Sequence, residues 1–548
     1  MKRNHYFKGE RGRSMKFAVL SDTHYISEDL LYGFQPEGIL RRQINRTVVR
    51  QLKERDDIDT VLITGDLTDA GDEASHLEFR ELLKDLKAVG KKVYVLTATH
   101  DFHFSRAWVL KYGWPVKYKA QPWNRPWFNA AETDFTALVA EESLAQPEAG
   151  LTPPLMQVCT ADDLWELYRD FGRDQAFSVC ESAWSYAVKL DEKLWCLMLN
   201  NNFRDVDANF DFSPTYSPEC FRWIEGIVAE AKAAGAYVFA CTHHPLVPPV
   251  PAYKIGGTRR NMRGPTVVHT LADIGIDLVF SGHTHFSNIV FGASDAGHTL
   301  CNVTTPSITH LPPVYRIAEL DPAAHTLRLA NAEITAADDC PVREGTLRAH
   351  YVNEFVNEQR QSVSRLPAGL GKVVLGMKVK HFYPLCRAAS KLTRAEYGQI
   401  KETKIFDIIM DLTVNMQCGD GQYTPDTPIY KFMMGFSAVA DSLIAAQPFV
   451  GVEKLLEGYT VAQIVEPMLF KNGVPDNDAA FRFDRIPAPT AVSPVFTSHA
   501  GDILMGLLSV LALLASPLSP AVTALILPAL TLMKKNKLKK HPYRPERY

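Results

Sequence analysis

Five apolar runs in this chain each end abruptly in a short polar segment that carries histidine or aspartate. The segments read SDTH, TGDLTD, ATHD, CTHHP and SGHTH, and they lie between residues 21 and 285. β-rich runs that alternate with helical stretches predict a layered α/β sheet. Ligands gather beyond the carboxyl ends of the strands in such a sheet. The pattern therefore predicts that the five segments meet in one cleft.

The spacing of apolar residues supports this arrangement. Between residues 39 and 52, apolar side chains recur at the intervals of an amphipathic helix. Residues 76–89 repeat the pattern and are followed by Gly90, a residue typical of helix C-termini. Strand and helix thus alternate from residue 15 to about residue 110, which predicts the α/β fold class.

The polar segments combine two side-chain types that bind divalent transition metals. Carboxylates and imidazoles are suitable ligands for Mn²⁺, Fe²⁺, Zn²⁺, Co²⁺ and Ni²⁺. In D-T-H (22–24) and H-T-H (283–285), alternation along an extended chain predicts that both ligands point to the same side. Two cations about 3.5–4 Å apart can hold the attacking and leaving oxygens of a phosphoryl displacement. The sequence therefore indicates a two-metal site for phosphate-ester hydrolysis.

The order of the segments resembles that of the calcineurin-like metallophosphoesterase superfamily. That family carries D-x-H, G-D-x-x-D, G-N-H-[DE], H-x-P and G-H-x-H in this order. The corresponding segments are Asp22-Thr23-His24, Gly65-Asp66-Leu67-Thr68-Asp69, Ala98-Thr99-His100-Asp101, His243-His244-Pro245 and Gly282-His283-Thr284-His285. The resemblance covers about residues 15–335. It implies a four-layer α/β/β/α sandwich that holds two divalent metal ions.

The resemblance also implies a role for each motif residue. The expected metal ligands are Asp22, His24 and His285 for the first metal, His243 and His283 for the second, and Asp66 as the bridge between them. Metal-bound hydroxide would attack phosphorus, and His100 would protonate the leaving-group oxygen. Asp101 would orient or tune the His100 imidazole, as carboxylates beside histidines commonly do.

One position departs from the family pattern. Thr99 stands where the family has an asparagine whose amide oxygen binds the second metal, and Ala98 replaces a glycine. Three outcomes are open: Thr99 coordinates weakly or through water, the second site holds its metal loosely, or the second site is lost. The first two are favoured because every other second-metal ligand is present.

Other polar residues receive less specific interpretations. Asp69 is expected to orient a neighbour by hydrogen bonding, and His244 to support the site or face the substrate. The arginines after the His-His-Pro segment suit either phosphate oxygens or a solvated loop; they are Arg259, Arg260 and Arg263. The remaining histidines considered are interpreted as structural; they are His76, His103, His269, His298, His310 and His381.

Changes in composition predict the domain boundaries. A catalytic domain is expected over residues 15–335, with a Trp- and Pro-rich insertion or cap at about 107–175. A helical domain of unknown role is expected over 345–480, followed by a Pro/Ser linker at 484–500. The chain then continues with an uncharged apolar segment at 503–533 and a basic tail at 534–548.

The apolar segment suggests contact with a membrane. A straight transmembrane helix needs about 20 residues, but Pro517, Pro520 and Pro528 interrupt this one. One kinked transmembrane helix, a re-entrant hairpin and a hairpin packed on the protein are all compatible with it. The hairpin in lipid is favoured because it keeps the basic tail beside anionic lipids on the cytoplasmic face.

The bulk composition narrows the location and the partners. A net charge of −3 gives no general attraction to nucleic acid. The nine cysteines contain no CxxC pair, and no signal-peptide-like stretch opens the chain. We therefore expect a cytoplasmic, membrane-associated hydrolase of a phosphomonoester or phosphodiester, with a lipid-linked phosphate as one candidate substrate. The alternative is a metal-poor, inactive homologue that acts as a membrane-attached binding or scaffold protein.

Overall fold

The computed structural model describes eleven parts of the 548-residue chain. They are residues 14–28, 37–69, 71–102, 116–118, 156–201, 216–247, 266–365, 370–419, 423–446, 460–471 and 473–488. The predicted apolar segment at 503–533, the basic tail, the arginine-rich loop at 259–263 and most of the Trp-rich insertion lie outside these residues. Nothing in the fold therefore bears on those predictions.

Fifteen strands and thirteen α-helices are defined in this part of the chain. The strands are β1 (Met15–Leu20), β2 (Thr60–Ile63), β3 (Lys92–Val95), β4 (Val116–Tyr118), β5 (Met156–Val158), β6 (Ser178–Cys180), β7 (Ser185–Asp191), β8 (Leu194–Leu199), β9 (Tyr237–Thr242), β10 (Leu278–Ser281), β11 (Asn288–Ala293), β12 (Thr299–Thr304), β13 (Val314–Asp321), β14 (Thr326–Glu333) and β15 (Ala479–Arg482). The helices are α1 (Glu37–Lys53), α2 (Glu73–Ala88), α3 (Thr99–Phe102), α4 (Ala161–Leu167), α5 (Pro218–Ala234), α6 (Val267–Ile274), α7 (Leu347–Ser364), α8 (Leu370–Gly376), α9 (Val379–Ser390), α10 (Arg394–Ile400), α11 (Ile405–Cys418), α12 (Pro428–Ala446) and α13 (Val461–Leu469).

Two sheets form the centre of the fold. The first has the strand order β15-β14-β13-β1-β2-β3, in which β1, β2 and β3 run parallel. The second has the order β11-β12-β10-β9-β8-β7-β6, with β12, β10, β9 and β8 parallel. Strands β4 and β5 pair separately. Each large sheet thus contains a run of adjacent parallel strands, which places several carboxyl ends at one edge.

Aromatic side chains fill the space between the two sheets. Phe17 of β1 stacks on Phe239 of β9 with ring centroids 5.6 Å apart, and meets Phe280 of β10 edge-on at 5.7 Å. Ile44 of α1 packs against the outer face of the first sheet, and Ile224 of α5 against that of the second. The molecule is therefore the expected α/β/β/α sandwich, with burial on both faces of each sheet.

Side-chain caps fix the starts of the helices that cover the sheets. Asp72, Ser217 and Thr266 accept hydrogen bonds from backbone N–H groups in the first turns of α2, α5 and α6. Such caps satisfy donors that have no partner within the helix. Gly235 and Gly275 end α5 and α6 in the left-handed conformation that glycine adopts without strain.

The C-terminal part is helical, as expected, but its end returns to the first sheet. Strand β15 pairs antiparallel with β14, with Leu327 opposite Phe481. The first sheet therefore includes a strand from the C-terminal part of the chain, beyond residue 335. In the last part of the predicted insertion, Leu164 and Phe171 belong to the core beneath α2.

A buried arginine links the returning segment to the sandwich. The guanidinium of Arg316 is fully buried and donates hydrogen bonds to Thr304 O, Asn331 Oδ1, Ser287 Oγ and Asp476 O, at 3.0–3.2 Å. Burial of such a cation is tolerated only when its donors are satisfied. This contact fixes the end of the loop that carries the H-T-H motif.

The described residues contain no helix that is both long and apolar enough to cross a lipid bilayer. The segment at 503–533 was the basis for the membrane prediction, and it lies outside that part of the chain.

Candidate metal centre

The predicted polar segments all follow strands at one edge of the sandwich. In the first sheet, Leu20, Ile63 and Val95 lie side by side at the ends of β1, β2 and β3. Backbone bonds from Asp22 N to Gly65 O (3.0 Å) and from Gly282 N to His243 O (2.8 Å) hold successive loops together. The expected convergence of the five segments is therefore present in the fold.

The backbone of the site differs from the extended conformation expected for D-T-H and H-T-H. Five of the six predicted metal ligands have positive φ angles: Asp22 (50°), His24 (41°), Asp66 (51°), His283 (69°) and His285 (59°). Non-glycine residues rarely adopt this left-handed region, and they tend to do so at functional sites. The side chains converge because the chain turns sharply after each strand, and not because an extended strand alternates.

Three donors meet in the first cluster. His285 Nε2 lies 3.3 Å from both His24 Nε2 and Asp22 Oδ1, and His24 Nε2 lies 3.9 Å from Asp22 Oδ1. On its other edge, His24 Nδ1 lies 3.3 Å from Asp69 Oδ1, and Asp69 accepts a 2.6 Å hydrogen bond from Arg41. Asp69 thus faces the imidazole from behind, although His24 Nδ1 and Asp69 do not have the geometry of a hydrogen bond. A carboxylate in this place favours the proton on Nδ1 and leaves Nε2 as the ligand atom.

The second cluster lies around Asp66. His243 Nδ1 donates a 2.9 Å hydrogen bond to the carbonyl oxygen of Thr64, so the lone pair of the neutral ring is on Nε2. That Nε2 is buried and lies 3.1 Å from Asp66 Oδ2, without the geometry of a hydrogen bond among the described residues. The ring of His283 is 5.2 Å from that of His243, and His244 lies 4.2 Å from His283 between centroids.

These donor spacings fit divalent cations. Bonds of about 2.0–2.2 Å at angles near 90–110° place neighbouring donors about 2.8–3.6 Å apart. The spacings of 3.3 Å around His285 and 3.1 Å between His243 and Asp66 fall in that interval. Buried polar atoms normally have hydrogen-bond partners, so the unpartnered Nε2 of His243 is best explained as a ligand position. The residues present therefore fit metal binding.

Two glycines allow the loops to approach one another. A Cβ on Gly282 would lie 1.7 Å from Ser21 Oγ and 2.5 Å from Asp22 Oδ2. A Cβ on Gly65 would lie 2.9 Å from His243 Nδ1, and Gly65 has a φ of 104°. Neither position accepts a larger residue without displacing a ligand.

The electrostatics of the metal-free site favour charged carboxylates. Burial opposes ionisation, but the imidazoles of His285 and His243 keep the pKa values of Asp22 and Asp66 below the ordinary range. Burial also opposes the charged form of His243, yet Asp66 raises the pKa of His243 to about 9. Both carboxylates are therefore ionised near neutral pH, as cation ligands must be.

The structure contradicts the role expected for Asp101. Its carboxylate accepts hydrogen bonds from the backbone N–H of Ala98 (2.7 Å) and Thr68 (3.0 Å), inside the protein. Burial, followed by the charge of Asp66, raises the pKa of Asp101 to about 8. The exposed His100 instead places its Nδ1 2.8 Å from the carbonyl oxygen of Asp69. Asp101 therefore supports the loop, and the backbone of the D-x-x-D motif orients the His100 ring.

Thr99 lies close to the predicted bridging residue. Its hydroxyl is 3.4 Å from Asp66 Oδ1, and the same oxygen accepts a 2.8 Å hydrogen bond from the backbone N–H of His100. Thr99 is thus near the position that the resemblance assigned to asparagine. Its contribution to metal binding stays a prediction.

Two histidines that were not predicted as ligands lie in the clusters. One ligand nitrogen each of His243, His244 and His283 lies within 4.8 Å of the others, and the same holds for His24, His285 and His310. His244 Nδ1 is 3.2 Å from Asn201 Oδ1. His310 follows β12, which runs parallel to β10 like the strands before the predicted segments. This position was the one sequence signal for His310, because no short motif marks it.

Comparisons with known proteins agree with this geometry. The model of the calcineurin-like phosphoesterase family matches residues 15–287. A relative from Rhodopseudomonas palustris, described as a probable cyclic nucleotide phosphodiesterase, is 35% identical over 88 residues. That match covers 16% of this chain and 30% of the relative, so the chain spans less than a third of the relative's length.

Solved structures match this chain only at low similarity. A dimetal phosphatase from Danio rerio is 12% identical and has a TM-score of 0.32; the similarity covers 58% of this chain and 96% of that one. A purple acid phosphatase from yellow lupin is also 12% identical, with a TM-score of 0.31 and coverage of 59% and 52%. No functional conclusion follows from similarities at this level. Through its residues 15–287, this chain belongs to the calcineurin-like phosphoesterase family.

Proposed function

We propose that this protein hydrolyses phosphate monoesters or diesters with the help of two divalent cations. One observation carries the proposal: six Asp and His side chains from four separate loops converge with the spacing of cation ligands. The ligands would be Asp22, His24 and His285 for one cation, His243 and His283 for the other, and Asp66 between them. Family membership supports the same reaction class.

The cations, when bound, would neutralise the phosphoryl oxygens and lower the pKa of a water molecule. The chain's own part is to hold the ligand set rigid and to manage protons. Asp69 faces Nδ1 of His24, and the carbonyl oxygen of Thr64 faces Nδ1 of His243. These contacts direct both Nε2 atoms into the cleft. Preorganised ligands of this kind need no rearrangement during the reaction.

His100 would act as the general acid. Its Nδ1 is held by the carbonyl oxygen of Asp69, so its Nε2 is the position from which a proton can leave. Water would add to phosphorus and release a proton to solvent, the ester P–O bond would break, and the departing oxygen would take the Nε2 proton of His100, which is then replaced from solvent. Although part of the His100 ring is exposed, the surrounding loops partly desolvate it, which opposes the charged imidazole. Asp66 and Asp69 nevertheless raise the pKa of His100 in the metal-free protein.

The full-length protein, stripped of metal by chelation, provides the main test. We expect turnover of p-nitrophenyl phosphate or its bis ester to return with Mn²⁺, Zn²⁺, Co²⁺ or Ni²⁺, with two cations bound per chain. Asp66→Asn should abolish turnover, and His298→Ala, a change at an exposed histidine outside the clusters, should not. Failure to bind cations, together with no turnover under any of them, would contradict the proposal and favour the scaffold alternative.

Two variants test the individual roles. His100→Ala should reduce turnover about 10²–10⁴-fold and leave metal content unchanged; unchanged turnover would remove the acid role. Thr99→Asn should lower the concentration of cation needed for half-maximal activity. An identical cation dependence would show that residue 99 does not contribute to the second site.

We also propose, from the sequence of residues 503–548, that the enzyme associates with the cytoplasmic membrane face. The test is cosedimentation of the full-length protein with vesicles of phosphatidylcholine, with or without phosphatidylserine. Binding that requires the anionic lipid supports the proposal, and the absence of sedimentation with either vesicle contradicts it.

A further inference from the structure

His310 occupies the first cluster, although no motif assigns it a role there. It lies on the loop after β12, which runs parallel to β10, and the ring is half-buried beside the cleft. Its centroid is 4.5 Å from that of His285 and 5.0 Å from that of His24. A packing role would need only an apolar or aromatic side chain at this position, whereas the surroundings of His310 are polar.

Hydrogen bonds define which nitrogen of His310 carries the proton. Ser307 Oγ donates its hydrogen to the carbonyl oxygen of Asp22 at 2.6 Å and accepts from the backbone N–H of Thr309 at 3.1 Å. A hydroxyl has a single hydrogen, so Ser307 Oγ can only accept from His310 Nδ1, which lies 3.0 Å away. The Thr309 hydroxyl is more distant, at 3.3 Å. The neutral ring therefore carries its proton on Nδ1 and its lone pair on Nε2.

The lone pair on Nε2 has no strong competitor within the described residues. Arg41 Nη2 approaches it at 3.4 Å, longer than the usual 2.7–3.2 Å of an N–H donor. The Arg41 guanidinium is already engaged by Asp69 at 2.6 Å and by Glu37. Ser307 also joins this ring to the backbone of Asp22, so the fold positions His310 together with an expected ligand.

We propose that His310 is a further ligand of the cation that Asp22, His24 and His285 bind. This inference rests on the proposed metal-dependent function and deepens it. One nitrogen each of His24, His285 and His310 lies within 4.8 Å of the others. Two bonds of about 2.1 Å span donors up to about 4.2 Å apart, so side-chain movements of about 1 Å or less would bring the three onto one cation. Three imidazoles favour Zn²⁺, Fe²⁺, Co²⁺ or Ni²⁺ over Mn²⁺, which prefers oxygen ligands.

Cobalt binding to the full-length protein tests the assignment without any substrate. Co²⁺ is added to metal-free wild type and to His310→Phe, and both visible absorption and affinity, by competition with a chelator, are recorded. We expect His310→Phe to weaken one Co²⁺ site by more than about 100-fold and to change its absorption bands. A residue that only orients a ligand typically costs 10–100-fold, and it leaves the bands in place. The preference for Zn²⁺ over Mn²⁺ should also fall in the variant.

Three controls separate the possible outcomes. His298→Ala, at an exposed position, should bind Co²⁺ as the wild type does. His310→Gln keeps a polar side chain and should show the same loss of bands, which guards against a packing defect caused by phenylalanine. In the His283→Ala background, which removes a ligand of the other cluster, the effect of His310→Phe should persist.

The failures are distinguishable. Unchanged bands and affinity in both His310 variants, with normal Co²⁺ binding by the wild type, would overturn the role of His310 alone. Wild-type protein that binds no Co²⁺ would overturn the proposed function and this inference with it.

Discussion

The left-handed backbone at the metal ligands predicts an unusual response to glycine. His285 has a φ of 59°, a conformation that costs an L-residue about 1–2 kcal/mol and costs glycine almost nothing. Replacement of His285 by either alanine or glycine removes the same imidazole. Only glycine also relieves the backbone. We therefore expect metal-free His285→Gly to be about 1 kcal/mol more stable than His285→Ala.

His243 provides the matched comparison. It is a predicted ligand of the other cluster, but its φ is not among the positive angles of the described residues. In an ordinary conformation, glycine is less favourable than alanine by roughly 0.5–1 kcal/mol. His243→Gly should therefore be less stable than His243→Ala, so that the order of the two variants reverses between the two sites.

Urea unfolding of the four chelated variants measures this reversal directly. The relevant quantity is the difference in free energy of unfolding between glycine and alanine at each site. Summed over five left-handed ligands, the strain is on the order of 5–10 kcal/mol, comparable to the whole stability of a small domain. Alanine more stable than glycine at both positions would refute the claim that the ligand loops are strained.

Three further predictions concern the support of the site and its pH dependence. Gly282→Ala should weaken metal binding, because its Cβ would overlap Ser21 and Asp22. Gly226→Ala in α5, with open space around it and no positive φ, should leave metal affinity unchanged in a chelator competition assay. Arg316→Leu should destabilise the protein by about 3–5 kcal/mol in urea unfolding because it leaves buried acceptors unpaired; the exposed Arg50→Ala should cost under about 1 kcal/mol. Burial lowers the pKa of His76 from 6.5 to about 4, so between these two pH values the imidazole is protonated in the unfolded chain but neutral in the folded chain. The free energy of unfolding should therefore fall by about 2 kcal/mol from pH 7 to pH 5. Urea unfolding at both pH values should show that His76→Phe loses this dependence.

The sequence was sufficient to predict the layered fold and the convergence of its polar loops. Both follow from short-range signals: apolar runs of strand length, amphipathic helices, and polar residues directly after strands. Asp22, Asp66 and His243 lie within three residues of a strand end, where the parallel register of the sheet determines their position. Alternation failed for D-T-H because the strand ends before Asp22, and the following residues turn.

Features that depend on distant packing were not predictable from local patterns. The orientation of Asp101 depends on two buried N–H groups, one of them in the β2 loop, that need an acceptor. The polar surroundings of His310 come from Ser307 and from Arg41 of α1, which lies 269 residues earlier. Strand β15 has only four residues, and its partner lies about 150 positions upstream, so its own sequence gives little indication of a strand.

The return of the chain to β14 has a consequence for shortening this protein. Helices α7 to α13 lie in sequence between two strands that are antiparallel neighbours, and such neighbours can be joined by as few as two residues. A deletion of the intervening helices that closes with a tight turn would preserve the order of the strands. A simple stop after β14 would instead leave an eight-residue border strand with unpaired backbone groups, which invites self-association. Miniaturised versions of this protein should therefore remove the interior of the C-terminal region and keep its last strand.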